Sequence, residues 1–339
     1  MPHIHVPRPW DLPVTAAASH RQYLNRRGFL RKLGLGTLGM AAVAAGCGPD
    51  DGRAATERDG QDGPLDNVPD SPTAELYPTV GSDDRFGPGP RHEEITEEAV
   101  TAAYNNFYEF GTDKEAVWKR MGSFEARPWE VEVGGLVDRP RVFDLVELER
   151  TMGLEERIYR LRCVEAWSIA VPWVGFPLRD LLEAVEPRSQ ARFVRFTSFH
   201  RPEQAPGQER QTWYPWPYYE ALRLDEAMNE LAFVVTGMYG HPLQKQNGAP
   251  VRIVVPWKYG YKSPKSVVRI ELTRERPPTF WNDLESDEYG FYSNVNPNKP
   301  HPRWSQASET IVQSGEEVPT VLYNGYQEYV SGLYDGSEF

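Results

Sequence analysis

Cysteine is nearly absent from this sequence, which has two in 339 residues. Two thiols cannot build the disulfide framework of a small secreted domain, so the fold must rest on a hydrophobic core. Basic residues are also in deficit, because 37 Lys and Arg face 49 Asp and Glu and give a net charge of −12. A nucleic-acid-binding protein needs a basic surface, so this class of protein is excluded.

Metal-binding motifs built from several side chains are missing as well. The sequence contains no H-E-x-x-H and no C-x-x-C, and the histidines after residue 47 are scattered at His92, His200, His241 and His301. A zinc site is therefore poorly supported. A c-type haem is not indicated either, because C-x-x-C-H does not occur.

The N-terminal residues 1–47 have the pattern of a twin-arginine export signal. Arg26 and Arg27 precede a stretch of small and apolar residues from Leu33 to Gly46. At roughly 14 residues this stretch is shorter than the ~20 that span a bilayer. The sequence thus predicts export to the periplasm. Two alternatives stay open at Cys47, namely a lipid anchor and ordinary cleavage nearby.

The rest of the chain divides by composition. Residues 48–94 are rich in Gly, Pro and Asp and predict a disordered linker, and residues 95–339 form the folded domain. Strands are predicted over residues 129–133, 193–199, 231–235, 251–255 and 266–272, and helices over 176–186 and 218–229. Strands and helices do not alternate regularly, so the fold class is α+β with more strand than helix.

Cys163 is the one cysteine of the predicted domain. Arg160 and Arg162 lie nearby in sequence, and basic neighbours favour the thiolate, which is the form that attacks or binds metal. A buried, inert thiol is the alternative. A single thiolate ligand suits a metal whose other ligands come from a cofactor.

Basic residues cluster further along the chain. Residues 246–252 end on Arg252, and residues 257–266 carry Lys258, Lys262 and Lys265 through a turn into a strand. Such donors suit a phosphate-bearing ligand, since charge-assisted hydrogen bonds to phosphate are strong. The alternative is a solvated basic surface.

Several segments together resemble one known family in order and spacing. They are residues 105–110, 162–168, 172–178, 246–252, 257–265, 272–278 and 301–307. The resemblance is to the catalytic subunits of bacterial periplasmic protein-methionine-sulfoxide reductases. These are molybdenum-molybdopterin enzymes with the sulfite oxidase fold.

The resemblance implies a role for individual residues. Cys163 would be the molybdenum ligand and a catalytic residue. Glu165 would supply a proton or a hydrogen bond near the metal, or would pair with Arg162 instead. Molybdopterin contacts would come from Asn105, Tyr108, Glu109, Ser198, Asn247, Arg252, Ser263, Pro264 and Lys265. Ser198 stands where the family usually has Thr, and Ser263 stands where it has Gly.

The resemblance also implies partners and an architecture. One sulfite oxidase-type domain over residues 95–339, without a C-terminal immunoglobulin-like domain, predicts a monomer. Electrons would come from a haem-binding membrane subunit, and the substrates would be methionine sulfoxides in oxidised exported proteins. The alternatives are a sulfite dehydrogenase or small-molecule S- or N-oxide reductase on the same cofactor, and a lipid-tethered binding protein without catalysis.

Overall fold

The structure is a computed structural model that describes residues 63–79, 81–82 and 94–336. The predicted export signal, including Cys47, lies outside the described residues. Within the described ranges, no helix combines the length and apolar character that crossing a membrane requires.

Strands outweigh helices in the described part of the chain. The strands are β1 (Gly81–Ser82), β2 (Glu130–Gly135), β3 (Arg141–Asp144), β4 (Glu155–Cys163), β5 (Trp167–Pro177), β6 (Phe193–Ser198), β7 (Tyr219–Arg223), β8 (Phe233–Met238), β9 (His241–Pro242), β10 (Arg252–Val254), β11 (Val267–Thr273), β12 (Ser308–Ile311) and β13 (Glu317–Pro319). The α-helices are α1 (Glu98–Ala103), α2 (Leu145–Thr151), α3 (Leu178–Ala184), α4 (Pro206–Arg210), α5 (Leu224–Ala227), α6 (Phe280–Leu284) and α7 (Gln327–Val330). The predicted α+β class is confirmed.

An eight-stranded sheet carries the cysteine hairpin. Its main path runs β1-β4-β5-β12-β13, and β8 pairs with β5, β9 and β10. The antiparallel hairpin β4–β5 is the longest pairing, and its register ends with Cys163 opposite Trp167. Every residue of β5 is buried, because strands and loops cover both of its faces.

A five-stranded sheet has the order β3-β2-β11-β6-β7. The pair β2–β11 is parallel, and the other neighbours are antiparallel. In β2 and β6 buried residues alternate with more exposed ones, which is the period-two pattern that predicted these strands.

The predicted helix over residues 218–229 is wrong in its first half. Tyr219–Arg223 is strand β7, which pairs along β6, and helix α5 covers only Leu224–Ala227. Aromatic residues such as Tyr219 favour a pleated, half-buried surface, and the free edge of β6 satisfies the backbone hydrogen bonds. The other predicted helix is confirmed as α3, with Leu178, Leu181 and Leu182 buried.

Part of the segment predicted as a linker packs on the domain. Residues 64–66 and 74–79 form 3₁₀ turns, and the buried Tyr77 donates its hydroxyl to Glu149 (2.7 Å). Gln246 donates to the carbonyl of Pro64 (2.8 Å). These buried partners are far away in sequence, so composition alone could not reveal them.

Candidate active site

Cys163 lies at the tip of a hairpin, where β4 turns into β5. The turn is tight, since Ala166 donates its amide to the Cys163 carbonyl (3.1 Å) and has a φ of 61°. A left-handed conformation costs a residue with a Cβ roughly 1–2 kcal/mol, so contacts from elsewhere must hold this turn. Two buried strands thus present the thiol at their shared end.

A cavity opens beside Cys163 and collects most of the predicted site residues. Its lining includes Asn105, Tyr108, Glu109, Cys163, Glu165, Asn247, Arg252, Ser263, Pro264 and Lys265. Ser198 is not part of this lining, and its hydroxyl donates to the Lys265 carbonyl (2.7 Å). The structure therefore brings all but one of these residues to one cavity, and their roles as cofactor contacts stay predictions.

The thiol of Cys163 contacts two polar side chains. The amide of Asn106 lies 3.4 Å from Sγ, and the carboxylate of Glu165 lies 3.7 Å from it. Burial and then the Glu165 charge raise the pKa of Cys163 to about 12. An isolated thiol here stays protonated, so a thiolate needs a cation to bind it.

The two arginines near Cys163 in sequence contribute little to its activation, because the influence of Arg162 is the smallest of those that act on the pKa of the thiol. Both pair with the buried carboxylate of Glu309, and Arg162 Nε lies 2.8 Å from Glu309 Oε2. Neither arginine lines the cavity. Glu309, about one hundred and fifty positions away, offsets one of these two charges, and Arg162 lowers the pKa of the thiol by less than burial and Glu165 raise it.

Glu165 pairs with Lys114 (3.1 Å) rather than with Arg162. It also accepts hydrogen bonds from the amide of Asn106 (2.8 Å) and the indole of Trp167 (3.4 Å). Burial alone raises the pKa of Glu165, but Lys114 and these donors outweigh it and hold the pKa below its usual range. The side chain is therefore a carboxylate fixed beside Sγ.

Two cations, the buried Arg252 and the half-buried Lys265, line another part of the cavity. Arg252 donates to the carbonyls of Asn247 (2.9 Å) and Ser263 (3.3 Å), and Lys265 donates to those of Asn106 (2.8 Å) and Gln246 (3.3 Å). Burial lowers the pKa of Arg252 to about 9, and burial together with Arg252 lowers the pKa of Lys265 well below its usual range. Each cation is solvated by backbone carbonyls.

These cations fit an anionic ligand. Among the described residues neither takes part in an ion pair, and Arg252 Nε is buried without a hydrogen-bond partner. A buried charge normally has a partner of opposite charge, because leaving water costs several kcal/mol. A phosphate group in the cavity would supply that partner.

Only one of the three predicted lysines lines the cavity. Lys258 pairs with Glu226 (2.6 Å) and Lys262 pairs with Glu220 (2.5 Å), and all four side chains are buried. The local sequence around Lys258 and Lys262 is typical of a phosphate-binding site. In the structure, however, each lysine pairs with a carboxylate from elsewhere in the chain, so its charge is not available to a ligand. Of the three lysines, Lys265 alone lies in the cavity lining, and its role as a phosphate ligand stays a prediction.

The segment that follows α1 supplies another part of the cavity wall, in addition to the cysteine turn and the two cations. Asn105 uses its amide to cap α1 at the carbonyls of Thr101 (3.0 Å) and Ala102 (3.1 Å). Glu109 is buried, and burial raises its pKa to about 7 despite nearby Lys265. The start of α4 packs on this segment through Gly207, where a Cβ would lie 2.1 Å from the Tyr108 carbonyl. That approach requires glycine.

No sequence pattern indicated some of the residues that line the cavity. Asn106 contacts the thiol, yet the sequence marks it only as the second of two adjacent asparagines. Eight aromatic residues besides Tyr108 also line the cavity, among them Tyr104, Trp167, Trp281 and Tyr289. An aromatic lining cannot be told from an aromatic core by sequence, because both bury rings among apolar neighbours.

Residues 119–281 match the family model described as "Oxidoreductase molybdopterin binding domain". This match spans 163 of the 339 residues, just under half of the chain. The chain is also similar to a solved structure, the sulfane dehydrogenase SoxCD from Paracoccus pantotrophus, at 17% identity and a TM-score of 0.41. That similarity covers 56% of this chain and 49% of SoxCD, so the chain spans about half the length of that relative.

The cofactor of this domain is molybdopterin carrying molybdenum, as the sequence predicted. In the described residues no group of three or more His, Cys, Asp or Glu side chains is arranged to hold a metal ion. Cys163 alone offers a thiolate to the cavity, and Arg252 with Lys265 offers positive charge. This set of donors fits a pterin phosphate together with a metal that takes one protein sulfur.

Proposed function

We propose that this protein reduces methionine sulfoxide, free and in exported proteins, in the periplasm. The net reaction consumes two electrons and two protons for each sulfoxide and yields a thioether and water. A haem-binding membrane subunit would deliver the electrons. When bound, the molybdenum cofactor supplies oxygen-atom transfer coupled to redox chemistry.

The charge beside the thiol carries this proposal. The charged side chain nearest Sγ is the Glu165 carboxylate, and both cavity cations contact backbone carbonyls elsewhere in the wall. Lys114 pairs with Glu165, so among the described residues no unpaired cation lies beside Sγ to attract a sulfite dianion, whereas a neutral sulfoxide needs none. The arrangement supports the sulfoxide over the sulfite alternative.

The residues of the chain have distinct tasks in this proposal. Cys163 holds the metal, and Arg252 with Lys265 holds the phosphate of the pterin. Asn106 and Lys114 fix Glu165, so that its position beside Sγ is set before substrate arrives. The cavity aromatics exclude water around the thioether that forms.

A series of aromatic rings supports protein-bound substrates. Trp281 lines the cavity and contacts Tyr214 (5.9 Å between ring centres), which contacts Trp213 (5.8 Å). Trp213 is 45% exposed, so its ring is available to contact a polypeptide at the surface. This aromatic ridge, Trp281–Tyr214–Trp213, leads from the cavity to the surface and offers contacts to residues flanking a sulfoxide.

The deciding experiment compares wild type with Cys163→Ser, purified from a molybdenum-replete host. We expect about one molybdenum per chain in wild type, as one thiolate site requires, and viologen-driven reduction of methionine sulfoxide. Both should be lost in Cys163→Ser, while Ser123→Ala, an exposed residue outside the cavity lining, retains metal. Sulfite-driven reduction of cytochrome c without sulfoxide turnover would overturn the proposal in favour of the sulfite alternative.

A further inference from the structure

The segment over residues 301–307 has no part in the function proposed above. It lies outside the residues matched by the family model. Two of its side chains nevertheless reach the cysteine turn. Trp304 donates its indole N–H to the Val164 carbonyl (2.8 Å), and Gln306 donates its amide to the same oxygen (2.7 Å).

Gln306 also contacts the residue on the other side of Cys163. Its Oε1 accepts from Arg162 Nη2 (2.8 Å), and Arg162 in turn donates to the Cys163 carbonyl. One side chain thus joins Arg162 and Val164, the two sequence neighbours of Cys163. Gln306 is 2% exposed, so water does not compete for these hydrogen bonds.

The far side of Arg162 is anchored equally firmly. Its guanidinium pairs with Glu309 (2.8 Å) and donates to Thr320 Oγ1 (3.1 Å), and both partners follow the 301–307 segment in sequence. The arginine has no exposed surface. Rotation of the turn would break charged hydrogen bonds in a dry environment, which is costly.

Trp304 is itself held in place by stacking. Its ring lies on the His301 ring, with centres 3.8 Å apart and planes 9° from parallel. His301 contacts Tyr289, which lines the cavity (5.5 Å between ring centres). The stacking therefore holds the Trp304 indole N–H in position to donate to the Val164 carbonyl.

We propose that Gln306, assisted by Trp304, is a positioning residue that fixes the direction in which Cys163 presents its sulfur to the cavity. The inference rests on the proposed role of Cys163 as the molybdenum ligand. The turn needs such support because Ala166 has a left-handed backbone conformation. Outer contacts that orient metal ligands typically change affinity or activity about 10- to 100-fold when they are removed.

The test compares Gln306→Met with a matched control, Gln208→Met. Gln208 is also buried (4% exposed) and also makes two amide hydrogen bonds, to Arg201 N (2.8 Å) and Phe199 O (2.9 Å), but it does not contact the cysteine turn. Each variant loses two buried hydrogen bonds, so we expect similar losses of stability. The metal readouts should separate them.

The readouts are the rate at which a chelator lowers the molybdenum content per chain and the electron paramagnetic resonance spectrum of the molybdenum, both measured on the purified holoenzyme. In Gln306→Met we expect shifted g-values and about tenfold faster loss of metal to a chelator. In Gln208→Met both should equal wild type. If the two variants behave alike at equal stability, the proposal is wrong. Neither readout uses a sulfoxide, so failure of the proposed activity would be recognised separately.

Trp304→Phe covers the case in which Gln306→Met does not fold. It keeps a ring to stack on His301 and loses only the indole donor. We expect a smaller shift of the g-values in the same direction as for Gln306→Met. A wild-type spectrum in this folded variant would contradict the positioning role.

Discussion

Two groups of cations lie within one stretch of chain, residues 252–265, and they differ in their partners. Lys258 and Lys262 each face a buried carboxylate, at 2.6 and 2.5 Å. Arg252 and Lys265 face backbone carbonyls and the cavity instead. A charge neutralised within the protein supports the fold. A charge left for the cavity supports binding of an anion.

The largest expected effect comes from breaking a neutralised pair. Lys258→Met leaves Glu226 buried without its cation, so the free energy of unfolding should fall by about 3–5 kcal/mol. Urea denaturation of the purified variant measures this loss. The double variant with Glu226→Leu should recover most of it, because no uncompensated charge then remains. A loss equal to that of an exposed lysine variant would show that the pair does not support the fold.

The sequence predicted the class of fold and much of the site, because both depend on local patterns. Alternating apolar residues predicted β2 and β6, and β-branched runs predicted β8 and β11. The motif around Cys163 and two of the basic residues after position 246, Arg252 and Lys265, line one cavity. Each of these patterns lies within a short stretch of sequence, so it can be recognised without knowledge of tertiary contacts.

What the sequence could not predict depends on partners far along the chain. Lys262 looks like a phosphate ligand until Glu220, from the edge strand β7, is seen to pair with it. Arg162 looks like an activator of its neighbouring thiol until Glu309 is seen beside it. In both cases a distant carboxylate decides which basic residue faces the cavity.

A smaller effect concerns Glu109, the cavity carboxylate that Lys265 attracts without an ion pair. Burial raises the pKa of Glu109 to about 7, above its unfolded value. Its stabilising contribution is therefore full below the unfolded pKa and is lost as the pH rises through 7. In cofactor-free protein the loss should be on the order of 3 kcal/mol between pH 4 and pH 8.

Other groups also titrate in this range, so the measurement is a difference. Urea denaturation of cofactor-free wild type and Glu109→Gln across the same pH values isolates the contribution of this carboxyl. We expect the two curves to converge at acidic pH and the wild type to be the less stable at pH 8. A constant offset would mean that Glu109 does not titrate on folding.

The cavity cations should give effects of opposite sign on binding and on stability. Lys265→Met should weaken cofactor retention at least about tenfold, since a charged hydrogen bond contributes about 1.5–3 kcal/mol. In cofactor-free protein the same change removes a half-buried charge that has no ion pair among the described residues, so the free energy of unfolding should stay equal or rise by about 1 kcal/mol. Molybdenum per chain and urea denaturation measure the two quantities.

This pair of measurements can break the comparison between the two groups of cations. If cofactor-free Lys265→Met is destabilised as strongly as Lys258→Met, then Lys265 stabilises the fold and its charge is not available to bind an anionic ligand. Lys262→Met serves as a second control, because Lys262 lies three positions away and pairs with Glu220. In cofactor-free protein Lys262→Met should lower the free energy of unfolding, whereas Lys265→Met should leave it equal or raise it.

The smallest expected effect lies at the surface end of the aromatic ridge. Trp213→Ala removes an exposed ring that is separated from the cavity by Tyr214, so the fold should be little affected. A peptide containing methionine sulfoxide should show a KM raised about three- to tenfold, because one aromatic contact contributes about 1 kcal/mol. Free methionine sulfoxide is too small to reach Trp213, so its kcat and KM should equal wild type. If both substrates changed alike, the ridge would act on the cavity itself rather than on the flanking polypeptide. That result would place Trp213 with the residues that support the fold.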